Sequence, residues 1–421
     1  MFERTVKNSF WIKVVFTLQI SGLCVLLFLT VFNKSPLTFD EVLFPPNVEL
    51  LKTHGFTTQF LLEMEDQAPG PLYQFVHILF EPFTNLKPPG IRLVNFMFLI
   101  GMVIILFMII DKYTPDLNFK LIASLNILLV PMVWQVTGLA LTELPTLFFA
   151  TLTTFGLLKI KNTEKSLYIL IWGAVSGLCL GLTILGRSPF LVMIVPLTLM
   201  IGLLKNRQVQ VAYIITLVIA LAMTLPVFII WKGLMPPKQI HTGAGGIDIW
   251  HGILGFSYLS FVFLLIMPSW FYFRKKHIVS YVALTVGFFI INYYFLKFEY
   301  SPLSVTLSRF LPQYIMNFYP YIVAPFFGSL IVCFLISTYK QVLINRNDFY
   351  FLFLTAVIVL IVLSTFKITH LFSSRYVVQV APFIIILASR YDAQTPSKVI
   401  RILLGFGLGI ASLLTYANFE V

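Results

Sequence analysis

The chain has 421 residues, of which 58% are hydrophobic and 11% are charged, and its formal net charge is +12. Soluble domains carry about 25% charged residues, so this composition excludes a water-soluble multidomain enzyme. Long apolar runs extend along the whole sequence, which predicts a polytopic membrane protein with a single transmembrane domain over residues 1–421.

Thirteen apolar segments are candidate membrane spans, and most approach the ~20 residues that cross ~30 Å of hydrocarbon. In chain order they are 10–33, 91–110, 118–137, 141–158, 167–186, 189–204, 210–231, 254–273, 278–296, 313–338, 349–366, 376–389 and 402–416. Segments 189–204 and 376–389 are short and are open to a tilted, paired or re-entrant arrangement. The sequence therefore predicts an all-α transmembrane helical bundle with about 11 to 13 spans.

The charged residues indicate the orientation of the chain. If the N-terminus is cytoplasmic, the cytoplasmic connections hold 18 Lys and Arg against 6 Asp and Glu, whereas the outer side holds 11 of each kind. Short cytoplasmic loops of membrane proteins are enriched in Lys and Arg in this way. Topology thus accounts for the positive net charge, and nucleic acid is not predicted as a partner.

The first outer loop, residues 34–90, is the longest hydrophilic stretch and holds seven of the 17 acidic residues. Pro45 and Gly55 frame a short helix, because Pro favours the first turn of a helix and Gly its end. A second short helix is predicted over 71–80 from an apolar stripe at helical spacing, which consists of Leu72, Phe75, Val76 and Leu79. Two placements are open for it: it lies in the membrane interface, or it packs on the outer ends of its neighbours.

Charged and polar residues at the outer ends of the spans are the candidate functional residues. Asp40 and Glu41 follow the first span closely, and a carboxylate there can take a proton from an alcohol that attacks an electrophile. The alternative is a pair of ordinary solvated acids. The other candidates are Arg92, Glu143, Arg187, His370, Arg375 and Tyr376. Charges are costly in hydrocarbon, so we expect these side chains to face protein or a water-filled cavity, with snorkelling to the membrane surface as the alternative for the arginines.

No residue spacing typical of a metal site is present. Cys24, Cys179 and Cys333 lie far apart in apolar runs, and His241 and His251 flank a glycine-rich outer loop that we interpret as flexible. No cofactor is predicted, and the sequence does not decide whether a divalent metal takes part.

Several short motifs resemble the GT-C superfamily of membrane glycosyltransferases. They are Phe39-Asp-Glu41 after the first span, Gln67-Ala-Pro-Gly-Pro-Leu-Tyr73, Arg92-Leu-Val-Asn95, Thr142-Glu-Leu-Pro145, Gly186-Arg187, and Ser374-Arg-Tyr376 with Pro382 downstream. The pattern is most similar to protein mannosyltransferase-like and aminoarabinose transferase-like members. It also resembles the dolichyl-phosphate-glucose-dependent glucosyltransferases, but departs from them after Arg187, where Ser188-Pro189 stand in place of Gln-Thr.

The resemblance implies an enzyme that moves one sugar from a polyprenyl-phosphate carrier to an acceptor hydroxyl on the outer or lumenal face. Asp40 matches the first-loop acid that acts as base or orients the acceptor, and the adjacent Glu41 is able to share or replace that role. Arg187 and Arg375 are our candidates for binding the carrier phosphate. Because a phosphate is already a competent leaving group, one base and one or two cations should suffice for the transfer.

Two other classes of function stay open at this level: a transporter or flippase of a lipid-linked saccharide, and a non-catalytic subunit of envelope glycan assembly. Transporters bind their substrates near the bilayer midplane, often on broken helices. Here the polar residues gather at the outer ends of the spans, which favours chemistry at the membrane surface. The sequence does not identify the sugar, the carrier length, or whether the acceptor is a glycan, a lipid or a protein.

Overall fold

The computed structural model describes residues 9–239, 246–271, 278–297, 303–390 and 395–417. Within these ranges the chain is mainly helical and forms no β-strand, and an isolated bridge pairs Glu65 with Lys238. Most of the glycine-rich loop that follows Gln239 lies outside the described residues, so its predicted flexibility stays a prediction.

Nineteen α-helices are present in the described residues. In chain order they are α1 Ser9–Phe32, α2 Pro45–His54, α3 Thr58–Glu63, α4 Leu72–Thr84, α5 Gly90–Ile110, α6 Leu117–Leu125, α7 Pro131–Gly138, α8 Glu143–Asn162, α9 Ser166–Gly186, α10 Ile194–Leu203, α11 Arg207–Trp231, α12 Ile249–Ile266, α13 Ile278–Ile291, α14 Ser304–Leu307, α15 Gln313–Ile344, α16 Phe349–Leu363, α17 Arg375–Val378, α18 Ala381–Ala388 and α19 Pro396–Ala417.

Nine helices of the described residues are long and apolar enough to cross a membrane, and the bent pair α6–α7 brings the number to ten if it is one span. The chain is thus a multi-pass helical membrane protein, as predicted. The span number is lower than the predicted 11 to 13 because four segments are short, broken or less apolar. Segment 118–137 bends by 78° between α6 and α7, and α8 begins with a charged residue and contains several threonines. The helix in 189–204 is short, and 376–389 is divided between α17 and α18.

The bend between α6 and α7 has a local cause. Pro131 occupies the first turn of α7 and cannot donate a backbone hydrogen bond to the helix before it. The indole nitrogen of Trp134 instead donates to the carbonyl of Leu128 at 2.8 Å. Gln19 of α1 donates to the Ile122 carbonyl at 3.1 Å, so a polar contact also joins α6 to the first span.

The central helices α8, α9 and α11 pack closely, and glycines on α9 permit this. A Cβ atom added to Gly173 would lie 2.7 Å from the carbonyl oxygen of Ala212, and one at Gly177 would lie 2.8 Å from the carbonyl oxygen of Thr216. Small residues at membrane helix interfaces let two backbones approach in this way. The hydroxyl of Thr216 then donates to the Gly173 carbonyl at 2.9 Å.

The first loop is folded against the bundle. It contains a 3-10 turn over Phe39–Leu43 followed by α2, α3 and α4. The side-chain amide of Asn47 donates to the carbonyl of Glu65 at 2.9 Å and to the side chain of Gln67 at 3.1 Å, which ties α2 to the segment after α3. One side of α4 packs on α5, α8 and α9, whereas Leu79 is 72% exposed. The placement of α4 in a membrane interface stays a prediction.

Candidate active site

A cavity of about 720 Å³ lies between the first loop and the segments that precede α10 and α17. Its walls include five of the eight predicted site residues, which are Asp40, Arg187, His370, Arg375 and Tyr376. They come from three stretches of chain separated by well over a hundred residues. The fold therefore brings together five side chains that were chosen separately from their positions in the sequence.

The 3-10 turn at the start of the first loop directs two adjacent acids to different surroundings. Phe39 is the first residue of this turn and has a φ of 54°, a left-handed conformation that is uncommon for a bulky residue. Glu41 then folds back to accept a hydrogen bond from the backbone N–H of Thr38 at 3.1 Å. As a result Asp40 lines the cavity, and Glu41 points into the protein.

Glu41 forms a fully buried ion pair with Arg92 of α5. The guanidinium donates from Nε to Oε1 at 2.8 Å and from Nη2 to Oε2 at 2.6 Å, and neither side chain is exposed to solvent. Oε1 also accepts from the backbone N–H of Ala140 at 2.6 Å. The remaining N–H groups of Arg92 donate to backbone carbonyls, including that of Asn33 at 2.9 Å. The structure thus places Glu41 and Arg92 in a structural contact outside the cavity, and not at the site where the sequence grouped them with Asp40.

Arg375 is the first residue of α17, and its guanidinium connects the two acids of the site. It donates to Oδ2 of Asp40 from Nη2, and its Nε lies 3.8 Å from Oε1 of Glu143. The guanidinium also lies over the ring of Phe39, 5.0 Å from the ring centre. Burial alone would lower the pKa of Arg375, but the charges of Asp40 and Glu143 outweigh it and raise that pKa, so Arg375 carries a full positive charge.

Glu143 lies behind the cavity wall and does not line it. It is the first residue of α8, where the positive end of the helix dipole favours a carboxylate, and its side chain is fully buried. Arg187, which follows the last residue of α9, donates from Nη2 to Oε1 of Glu143. Glu143 was predicted as a substrate-binding residue; the structure instead gives it contacts to both cavity arginines.

These contacts form one chain of four charges, in the order Asp40, Arg375, Glu143, Arg187. We call it the charge network. It contains two acids and two arginines, so it is formally neutral when all four are ionised. Asp40 is its most accessible member, with a side chain 27% exposed, while the side chains of Arg375 and Arg187 are 7% and 9% exposed.

Several donors of the charge network and of the neighbouring Ser373 have no hydrogen-bond partner among the described residues. These are Nη1 of Arg375, Nε of Arg187 and the hydroxyl of Ser373, which are all buried. Buried N–H and O–H groups are costly without partners, and buried charged donors more so. All three residues line the cavity, so an anion bound there would lie close to these unpaired donors.

His370 and Tyr376 form a second polar pair in the cavity wall. Nε2 of His370 lies 3.1 Å from the hydroxyl of Tyr376. Burial lowers the pKa of His370, and the positive charge of Arg375 lowers it further. His370 is therefore neutral at pH 7, which makes it a hydrogen-bonding group and not a further cation.

One wall of the cavity is apolar and reaches the protein surface. It is formed by residues of the 3-10 turn Ser188–Met193 and of α10, together with Leu234 and Leu371. Val195 and Leu371 are 52% and 74% exposed at its rim. The rim therefore forms an apolar opening of the cavity at the protein surface.

Sequence reasoning missed other polar residues of the cavity wall. Asp66 and Gln67 come from the segment before α4, Lys367 follows α16, and Gln379 follows α17. Gln67 is within a motif already quoted for the family resemblance, and Lys367 is a cation at the end of a predicted span. Either signal was sufficient to propose them. Within the ranges that the structure describes, no group of three His, Cys, Asp or Glu residues could hold a metal ion.

Comparison with known proteins gives only distant likenesses. No family model matches the chain, and no curated protein matches it. Among solved structures, the chain is similar to ArnT from Cupriavidus metallidurans bound to undecaprenyl phosphate, with 14% identity, a TM-score of 0.46, and coverage of 95% of this chain and 77% of ArnT. The apo state of the same protein gives 14% identity, a TM-score of 0.44, and coverage of 94% and 77%. At this distance the likeness assigns no function to the chain.

Proposed function

We propose that this protein is a membrane glycosyltransferase. It would move a single sugar from a polyprenyl-phosphate-linked donor to an acceptor hydroxyl on the extracytoplasmic face, with Asp40 as general base. The observation that carries the proposal is the composition of the cavity wall. The partly exposed carboxylate of Asp40, two buried arginines with unpaired donors and an apolar rim open to the surface meet there.

Each part of the wall has a task in this reaction. Asp40 takes the proton of the acceptor hydroxyl as its oxygen bonds to the anomeric carbon of the sugar. The bond from that carbon to the phosphate oxygen breaks, and its electron pair leaves with the polyprenyl phosphate. Arg187 and Arg375 are placed to stabilise the charge that develops on the phosphate. The apolar rim would accommodate the carrier chain as it passes into the bilayer.

The position of the second acid supports a single-base mechanism. Hydrolysis of a glycoside between two sugars uses two carboxylates, one of which protonates the leaving group. In this structure Glu41 is fully buried in its contact with Arg92 and is not available to substrate. Phosphate needs no such protonation to leave, so Asp40 alone suffices when the donor is a phosphate-linked sugar.

The test is transfer in cells that lack this protein. A deletion strain is complemented with the wild type or with Asp40→Asn at equal expression, and envelope glycans and polyprenyl-phosphate sugars are measured by mass spectrometry. A general base contributes about 10²- to 10⁴-fold in rate, so Asp40→Asn should lose one sugar from a glycan and accumulate its lipid-linked donor. Wild-type behaviour of Asp40→Asn would remove Asp40 as the base and favour the alternatives.

A transporter or flippase is the second candidate, and the 78° break between α6 and α7 favours it because transporters often use broken helices. This break is filled by the buried side chain of Trp134. Counterflow of a lipid-linked saccharide in liposomes separates the two functions, since a transferase without acceptor would not support it.

A further inference from the structure

The two acids of the charge network hold the same arginine but differ in burial. Asp40 accepts from Nη2 of Arg375 with a side chain 27% exposed, whereas Glu143 contacts Nε of the same guanidinium with no exposure. We propose that Glu143 is a permanent positioning residue for Arg375 and Arg187, and that Asp40 is an exchangeable partner that the donor phosphate displaces from Arg375. This inference rests on the proposed function and adds a role for each acid in binding.

Glu143 cannot leave its arginines at low cost. Its carboxylate is enclosed at the start of α8, and one of its oxygens contacts both guanidiniums. Separation would leave a buried charge without compensation. The contact therefore fixes the two arginines relative to each other, and Nε of Arg187 and Nη1 of Arg375 have no hydrogen-bond partner among the described residues.

Asp40 can leave at lower cost, because its carboxylate is already in contact with the cavity. Partly exposed ion pairs contribute little net free energy, since water replaces the lost partner. A phosphate offers Arg375 more acceptor oxygens and is free to contact Arg187 at the same time. The exchange also frees Oδ2 of Asp40, which is then able to accept the proton of an acceptor hydroxyl.

The exchange implies an order of events. Oδ2 of Asp40 would become available to an acceptor hydroxyl only after the donor phosphate has bound to Arg375. Without donor, the carboxylate of Asp40 stays in its ion pair with Arg375. Asp40 is thus released to act as a base when the sugar donor is bound.

The test is the binding of farnesyl phosphate to the full chain in nanodiscs, measured by isothermal titration calorimetry, with farnesol as the ligand that lacks phosphate. Asp40→Asn removes the competitor of the phosphate, so it should tighten farnesyl phosphate binding about fivefold. Glu143→Gln releases the arginines and should weaken it by about tenfold or more, with partial recovery in Glu143→Asp. Neither change should alter farnesol binding.

The two variants should change the affinity for farnesyl phosphate in opposite directions, and this distinguishes the proposal from a general effect of removing negative charge. If removal of negative charge acts only through the general field, Glu143→Gln and Asp66→Asn would tighten binding as much as Asp40→Asn, and the proposal fails. If Asp40→Asn weakens binding, Asp40 is not a competitor and the proposal also fails. A wild type that binds farnesyl phosphate no better than farnesol would overturn the proposed function itself. If the wild type does prefer farnesyl phosphate but both variants change its affinity in the same direction, only the roles proposed here for Asp40 and Glu143 fail.

Discussion

Replacement of Glu41 and Asp40 by their amides should give opposite phenotypes, although the two residues are adjacent and the changes are nearly isosteric. Glu41 accepts from Nε and Nη2 of Arg92 and from the N–H of Ala140, all within 2.8 Å, and both charges are fully buried. An amide in Glu41→Gln turns one acceptor oxygen into a donor and leaves Arg92 charged and uncompensated.

The expected loss of folding free energy in each variant depends on how deeply its ion pair is buried. Removal of one partner of a buried ion pair costs about 3–5 kcal/mol, which is a large share of the stability of most proteins. The ion pair of Asp40 with Arg375 is partly exposed on the acid side, and Arg375 keeps its contact to Glu143 when Asp40 is changed. Asp40→Asn should therefore cost about 1 kcal/mol or less.

The assay is unfolding of purified protein by a denaturing detergent in mixed micelles, followed by circular dichroism, together with the transfer assay. Glu41→Gln should lose stability, and its transfer should fall with the folded fraction. Asp40→Asn should remain as folded as the wild type and lose transfer. The reasoning is refuted if Glu41→Gln unfolds like the wild type, or if both amides are destabilised equally.

Two further predictions concern the packing of the bundle and the first loop. Burial lowers the pKa of His77 to about 3, so between pH 6.5 and 3 the unfolded chain binds a proton that the folded chain does not, and stability should fall by up to ~1.4 kcal/mol per pH unit as the pH falls. Acid titration of unfolding in His77→Phe should lack this component, and an unchanged slope would contradict the assignment. Gly173→Val would force α9 away from the Ala212 carbonyl and should lower stability by about 1–3 kcal/mol. Gly202→Ala is the control, because a Cβ added at Gly202 meets no atom of another part of the chain within 4 Å, and equal loss in both variants would contradict close packing as the cause.

Much of the helical architecture could be predicted because hydropathy is a local property of the sequence. The apolar run that became α5 was sufficient to define a span, and the Pro45 and Gly55 signals matched the ends of α2. The interruptions were harder to predict. Pro131 ends one helix and begins another at 78°, and only the packing of Trp134 reveals that both halves stay inside the bundle.

The site was predictable as a set of residues and not as an arrangement. Asp40, Arg187 and Arg375 could be chosen because charges near spans are costly unless they face protein or water. Their contacts depend on tertiary packing, which hydropathy does not report. The different fates of Asp40 and Glu41 depend on the rotation of a single 3-10 turn, and no sequence pattern specified which acid would face the cavity.

The hydrogen bond from Ala140 to Glu41 has a consequence for mutational surveys of this protein. Glu41 is the neighbour of Asp40 in sequence, and Ala140 lies three residues before Glu143, so this contact joins the two segments that carry the acids of the charge network. Substitutions at Glu41 or Arg92 should therefore lower activity because they lower the folded fraction, although neither residue lines the cavity. A survey that measures activity alone would assign Glu41 and Arg92 to the catalytic site. A parallel measurement of protein abundance would distinguish these structural residues from the catalytic ones.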